Sequence, residues 1–145
     1  MMFMFVAAIV SFVSSMALAV VVDRTLDHRI PVFGSFAGFE RAYNSGIAFS
    51  IMLPHGLQTV LIIAALLLVM FLAVRSARTT VQQAGFGLII GGALGNIADR
   101  LPDGFVTDYM QVGTFPVFNL ADSCITVGVG LLLIGMLLDW RQKRK

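Results

Sequence analysis

Apolar and polar positions alternate along this chain in long blocks, with four apolar runs separated by connections that hold most of the charge. Phe3 to Val22 is apolar except at Ser11, Ser14 and Ser15. As a helix this run spans about 30 Å, the thickness of a bilayer's hydrocarbon core. The rival reading is a cleaved signal peptide ending at Ala17-Leu18-Ala19. The run lacks a basic leader and exceeds the roughly 7–15 residues of a signal core, which favours a retained helix. Leu57 to Val74 predicts a second spanning helix, closed by Arg75 and Arg78. A very short connection then makes the third helix, Val81 to Asp99, its antiparallel neighbour. That helix carries Gly85, Gly87, Gly91, Gly92, Ala93 and Gly95, small residues that let helices approach closely in lipid. The fourth helix runs from Asn119 to Trp140, with Trp140 suited to an interfacial belt.

The segment from Asp23 to Pro54 has a different pattern, with glycines and aromatics interleaved. Ile30 to Phe36 suits a short strand, and Gly34, Gly38 and Gly46 suit turns. The expectation is a small β element over about residues 29–50, lying on the membrane surface. The fold class is therefore a membrane all-α bundle of four transmembrane helices with a small extracytoplasmic β element, in a single domain over residues 1–145.

Composition agrees with a membrane protein. Apolar residues make up 58% and charged residues 12%, against about 25% charged in soluble domains. The net charge of +2 does not indicate nucleic acid, because the cations are scattered singly or gathered after the last apolar run. Those at Arg141, Lys143, Arg144 and Lys145 read as a topology anchor. With both termini in the cytoplasm, that side holds these four and Arg75 and Arg78, and the outer side holds Arg24, Arg29, Arg41 and Arg100. The positive-inside rule favours that orientation. Seven of the eight acids, all but Asp139, then fall on the outer side or at its helix ends. The single cysteine, Cys124, cannot form an internal disulfide and reads as a small packing residue.

Candidate chemistry concentrates between Gly91 and Asp122, where four of the eight acids stand. Ionisable groups beside hydrocarbon are costly and mark functional sites. Gly92, Asn96, Asp99 and Arg100 share a helix face, as do Asn119 and Asp122 one helix later. Asp108 lies in the short connection between them. Two carboxylates brought together there share one proton, so that one acts as base and the other as acid toward a carbonyl and a leaving amine. His28 and His55 offer no paired ligand spacing, so neither metal nor other cofactor is indicated. Ser123 and Cys124 have no nearby base. Structural readings stand beside the catalytic one. Asp99 with Arg100 also reads as an interfacial ion pair, Asn119 as a helix cap, Asp122 as a helix-start acid and Asp103 as a turn residue.

The segments Gly92-Ala-Leu-Gly-Asn96-Ile-Ala-Asp99-Arg100, Gly104-Phe-Val106-Thr-Asp108 and Phe118-Asn119-Leu-Ala121-Asp122 resemble those of lipoprotein signal peptidase (signal peptidase II). Asn44-Ser-Gly46-Ile-Ala48-Phe49-Ser is similar to a further segment of that family, and Asp23 to its first acidic position. The resemblance implies a four-helix bacterial inner-membrane aspartic endopeptidase. Such an enzyme cleaves diacylglyceryl-modified prolipoprotein before the lipid-modified cysteine and is blocked by globomycin. It also implies catalytic roles for Asp108 and Asp122. Asn44, Gly92, Asn96, Arg100 and Asn119 would line or support the substrate site, and Asp23 and Asp99 would support it. The β element would cradle the substrate. The expected partners are that substrate and membrane lipid, with no nucleic acid, and the expected state is a monomer. Three departures stand out, the first being that Asp108 and Asp122 stand only 14 residues apart, a short connection for the family. Asp27 occupies a position where the family usually has Lys, with Arg24 or Arg29 as candidate substitutes, and Tyr109 stands where Phe is usual. The alternative is a non-enzymatic small membrane carrier, or a scaffold that holds its bundle with an outer-face Asp/Arg cluster; a carrier would need its ionisable groups near the bilayer midplane.

Overall fold

The computed structural model describes residues 1–46 and 55–144. The matching positions Ala48, Phe49 and Ser50 therefore lie outside the described residues. The order of elements is α1 (Met2–Thr25), β1 (Ile30–Phe33), β2 (Ala37–Asn44), α2 (His55–Ser76), α3 (Thr80–Arg100), β3 (Val106–Val112) and α4 (Leu120–Lys143). The described residues are mostly helical, with a small antiparallel sheet. Each helix extends a few residues past its apolar run. At the start of α3 the reason is a capping box, in which the Thr79 side chain accepts from Gln82 N–H and Gln82 reaches back to Thr79 N–H.

Among the described residues, Met2–Thr25 and Leu120–Arg141 are long and apolar enough to cross a bilayer, and Val60–Ser76 is a shorter apolar helix. Their outer surfaces expose large apolar side chains, such as Phe5, Ile9, Leu67, Phe71, Leu133 and Leu137. A soluble protein would bury them; facing hydrocarbon they cost nothing. α3 is less apolar because glycines and amides interrupt it, and it is the helix that the others surround. It packs on α1, α4 and α2.

Two adjacent glycines explain that central position. A Cβ on Gly91 would collide with the Ala8 carbonyl of α1. One on Gly92 would lie 2.5 Å from the Ala121 carbonyl of α4. Facing opposite ways, they bring both outer helices to backbone contact, which is how small residues drive helix association in lipid.

The sheet has the order β1-β2-β3. β1 is the strand expected near Ile30, but Gly38, expected in a turn, sits inside β2 opposite Pro31. β3 corrects the sequence reading further. The connection holding Asp108 is a strand, paired antiparallel with β2 through Ala42↔Asp108, Tyr43↔Thr107 and Asn44↔Val106. It is closed on its other side by a bridge between Met110 and Phe118. The β element thus joins two stretches of sequence, and it gathers at the end of the molecule where α1 and α3 finish and α4 begins.

Candidate active site

Asp108 is held on β3 between Thr107 and Tyr109, all of them buried, and is itself 3% exposed. Its Oδ2 accepts from Asn44 Nδ2 at 3.1 Å, an interaction across the β2–β3 pair. Its Oδ1 accepts from Asn119 Nδ2 at 2.9 Å. Burial raises the Asp108 pKa to about 6 from 3.8, against the Asn44 and Asn119 hydrogen bonds and the Arg100 charge; the nearby Asp122 charge raises it further.

Asn119 is the hub. As the N-cap of α4 its Oδ1 accepts from Asp122 N–H at 2.9 Å. Its backbone N–H donates to Asp122 Oδ2 at 3.2 Å, completing a capping box. Its Nδ2 donates both to Asp108 and to Asn96 Oδ1, the latter at 3.0 Å. Asn96 in turn donates from Nδ2 to Asp122 Oδ1 at 2.7 Å. Capping and site-building are therefore the same interactions: the box that starts α4 fixes the Asp122 carboxylate, and the spare amide proton reaches Asp108.

The remaining candidates support this network from outside. Asp99 Oδ2 accepts from Thr107 N–H at 2.6 Å, pinning the strand one residue before Asp108. Arg100 donates to the carbonyls of Asn44 at 3.2 Å and Gly46 at 2.5 Å, holding the backbone that presents the Asn44 amide. The interfacial ion pair between Asp99 and Arg100 is thus not what the structure has, because neighbouring side chains on a helix diverge to different partners. Gly92 admits the Ala121 backbone, one residue from Asp122. Asp23 stands apart from the carboxylate network. Its carboxylate accepts from Tyr43 O–H at 2.6 Å, and its carbonyl accepts from Arg41.

Sequence reasoning missed several contributors. Arg41, rather than Arg24 or Arg29, faces the two acids of the α1 end, at 3.9 Å from Asp23 and 3.6 Å from Asp27. Arg29 instead binds the Gly34 and Ser35 carbonyls and Gln111. The hydroxyl that distinguishes Tyr109 from the usual Phe accepts from Leu120 N–H at 3.1 Å, linking the Asp108 strand to the Asp122 helix. That departure was the available signal. Cys124 is free and half-buried.

The arrangement offers two carboxylates from different elements, oriented by amides and next to a membrane-type bundle, the layout of an acid–base pair for hydrolysis. The sequence profile of the family described as signal peptidase (SPase) II matches residues 3–138. A lipoprotein signal peptidase of Mesorhizobium japonicum is 42% identical over 116 residues, covering 74% of this chain and 68% of that protein. One of Brucella ovis is 40% identical, covering 75% and 72%. A solved bacterial membrane enzyme superposes with a TM-score of 0.87 at 26% identity, covering 97% of this chain and 90% of that one. The chain belongs to the signal peptidase II family, a family of proteases. The apolar helices and the bacterial membrane enzymes it resembles mark it as a membrane protein of bacterial type.

Proposed function

We propose that this protein is an aspartic endopeptidase that removes the signal peptide from diacylglyceryl-modified prolipoproteins, with Asp108 and Asp122 as the catalytic pair. One observation carries the reading. The buried Asp108 and the capped Asp122 are joined through Asn119 and Asn96 in a single hydrogen-bonded network. The pair shares one proton, and burial favours Asp108 as its holder. Asp122 then takes a proton from water as the water oxygen attacks the scissile carbonyl, while Asp108 protonates the carbonyl oxygen. Collapse of the tetrahedral intermediate breaks the C–N bond, with the proton on Asp122 passing to the leaving amine and the Asp108 carboxylate recovering its own. Asn44, Asn96 and Asn119 keep the carboxylates in place, Arg100, Asp99 and Gly92 hold their supports, and Asp23 anchors β2 to α1.

In this reading α1, α2, α3 and α4 all span the bacterial inner membrane, with both termini cytoplasmic and the site at the extracytoplasmic face. Two features support it. The sheet and the carboxylates sit at one end of the bundle, and a Gln82–Asp139 hydrogen bond of 2.9 Å closes the other, next to the basic C-terminus. The acids of the described helices (Asp23, Asp99, Asp122, Asp139) stand at helix ends. A carrier would need them near the middle.

Mass spectrometry of the products tests the reaction. Cleavage is expected immediately before the lipid-modified cysteine, and globomycin is expected to stop it; cleavage elsewhere, or none, contradicts the proposal. The pH profile tests the pair. Asn44 stabilises the charged form of Asp108, so Asn44→Ala is expected to move the limb of the profile near pH 6 to higher pH. An unmoved limb would assign that limb to another group.

A further inference from the structure

Behind the carboxylate network lies a small cavity of about 10 Å³, bounded among others by Ser15 and Ala19 of α1, Asn96 and Asp99 of α3, and Thr107 and Tyr109 of β3. That is close to the roughly 10–15 Å³ a single water needs, and a water is stable there only with two to four polar partners. The wall supplies them. Ser15 is 7% exposed, and its Oγ has no hydrogen-bond partner among the described residues. Its neighbours differ: Ser11 Oγ donates to the Leu88 carbonyl at 3.4 Å and Ser14 Oγ to the Val10 carbonyl at 2.6 Å. Tyr109 is 4% exposed. Its hydroxyl oxygen accepts from Leu120 N–H, which leaves the hydroxyl proton to donate. Asp99 uses Oδ2 for Thr107 N–H, and its carboxylate brings further acceptor capacity to the wall.

We propose that this cavity is a binding site for one ordered water, held by Ser15 Oγ, the Tyr109 hydroxyl and the Asp99 carboxylate. The water accepts from Tyr109 and donates to Asp99, and Ser15, whose hydroxyl can turn, completes its shell. It ties α1 to β3 and α3 directly behind Asp108. The site stands independently of the proposed catalysis.

The test is the melting temperature of the purified protein in detergent, compared with its Ser15→Ala variant. With the water present, the substitution removes one of its partners and is expected to lower Tm by about 2–4 °C. Without it, the substitution deletes an unpaired buried hydroxyl, and Tm is unchanged or raised, which overturns the proposal. A crystal structure of the wild type decides the same question directly. The expected result is one water peak within hydrogen-bond distance of Ser15 Oγ and the Tyr109 hydroxyl. Ser15 turned onto a carbonyl of its own helix, with no peak in the cavity, is the contrary result.

Discussion

Asp108→Asn and Asp122→Asn are each expected to slow prolipoprotein cleavage by about 10²–10⁴-fold, the range for losing a positioned proton-transfer group. The double variant should be little slower than either single one, because residues acting as a unit lose the whole step when one is removed. Both replacements keep the side-chain volume but turn one accepting oxygen of the network into a donor, so each variant's folding is checked by thermal unfolding beside its activity. The Asp108 variant has a second expected signature. Burial raises its folded-state pKa from 3.8 to about 6. Its contribution to stability is therefore complete below about pH 4 and is lost as the pH rises through about 6. Asn carries no such loss. The Tm of Asp108→Asn relative to wild type should accordingly increase between pH 4 and pH 6 and stay level above. Thermal unfolding in detergent at several pH values checks this, and a difference independent of pH would contradict the assigned burial of the charge.

Gly92→Ala is expected to have the next largest effect. The added Cβ would stand 2.5 Å from the Ala121 carbonyl and 3.0 Å from Ile125 Cγ1. Backbone cannot give way as a flexible side chain does, so the start of α4 must move. Asn119 and Asp122 move with it, and both carboxylates are set by that capping box. Displacements of about 1 Å at a reacting group cost about 10²-fold in rate, and overpacking of this kind costs about 1–3 kcal/mol. The expected result is a folded protein with lower Tm and cleavage slowed by about 10²-fold. Gly130→Ala is the control, since a Cβ there meets nothing within 4 Å. Equal activity in the two variants would show that the α3–α4 approach at Gly92 does not position the pair.

Much of this site could be read in the sequence because its parts are local. Asn96, Asp99 and Arg100 follow helical spacing, and Asn119 with Asp122 is a capping pattern that declares the start of a helix. The apolar runs marked the helices, although their ends shifted where caps and polar residues extend them. The unreadable parts are those made by distant pairing. Val106 to Asp108 joins Ala42 to Asn44 across two helices, and no periodicity in Val-Thr-Asp-Tyr announces a strand whose first four side chains are all buried. Asn44 reaches Asp108 only through that pairing. Arg41 faces Asp23 and Asp27 for the same reason, whereas nearness in sequence points to Arg24 and Arg29. The hydroxyl of Tyr109 was visible as a departure from the family pattern, but its partner, Leu120 N–H, was not.

The central claim is that Asp108 and Asp122 together perform the cleavage. A single parallel assay in detergent tests it: wild type, Asp108→Asn and Asp122→Asn on the same diacylglyceryl-modified prolipoprotein, with each protein's thermal unfolding recorded alongside. The expected result is cleavage by the wild type and its loss in both variants, with all three proteins folded. Cleavage that survives in either folded variant would contradict the claim.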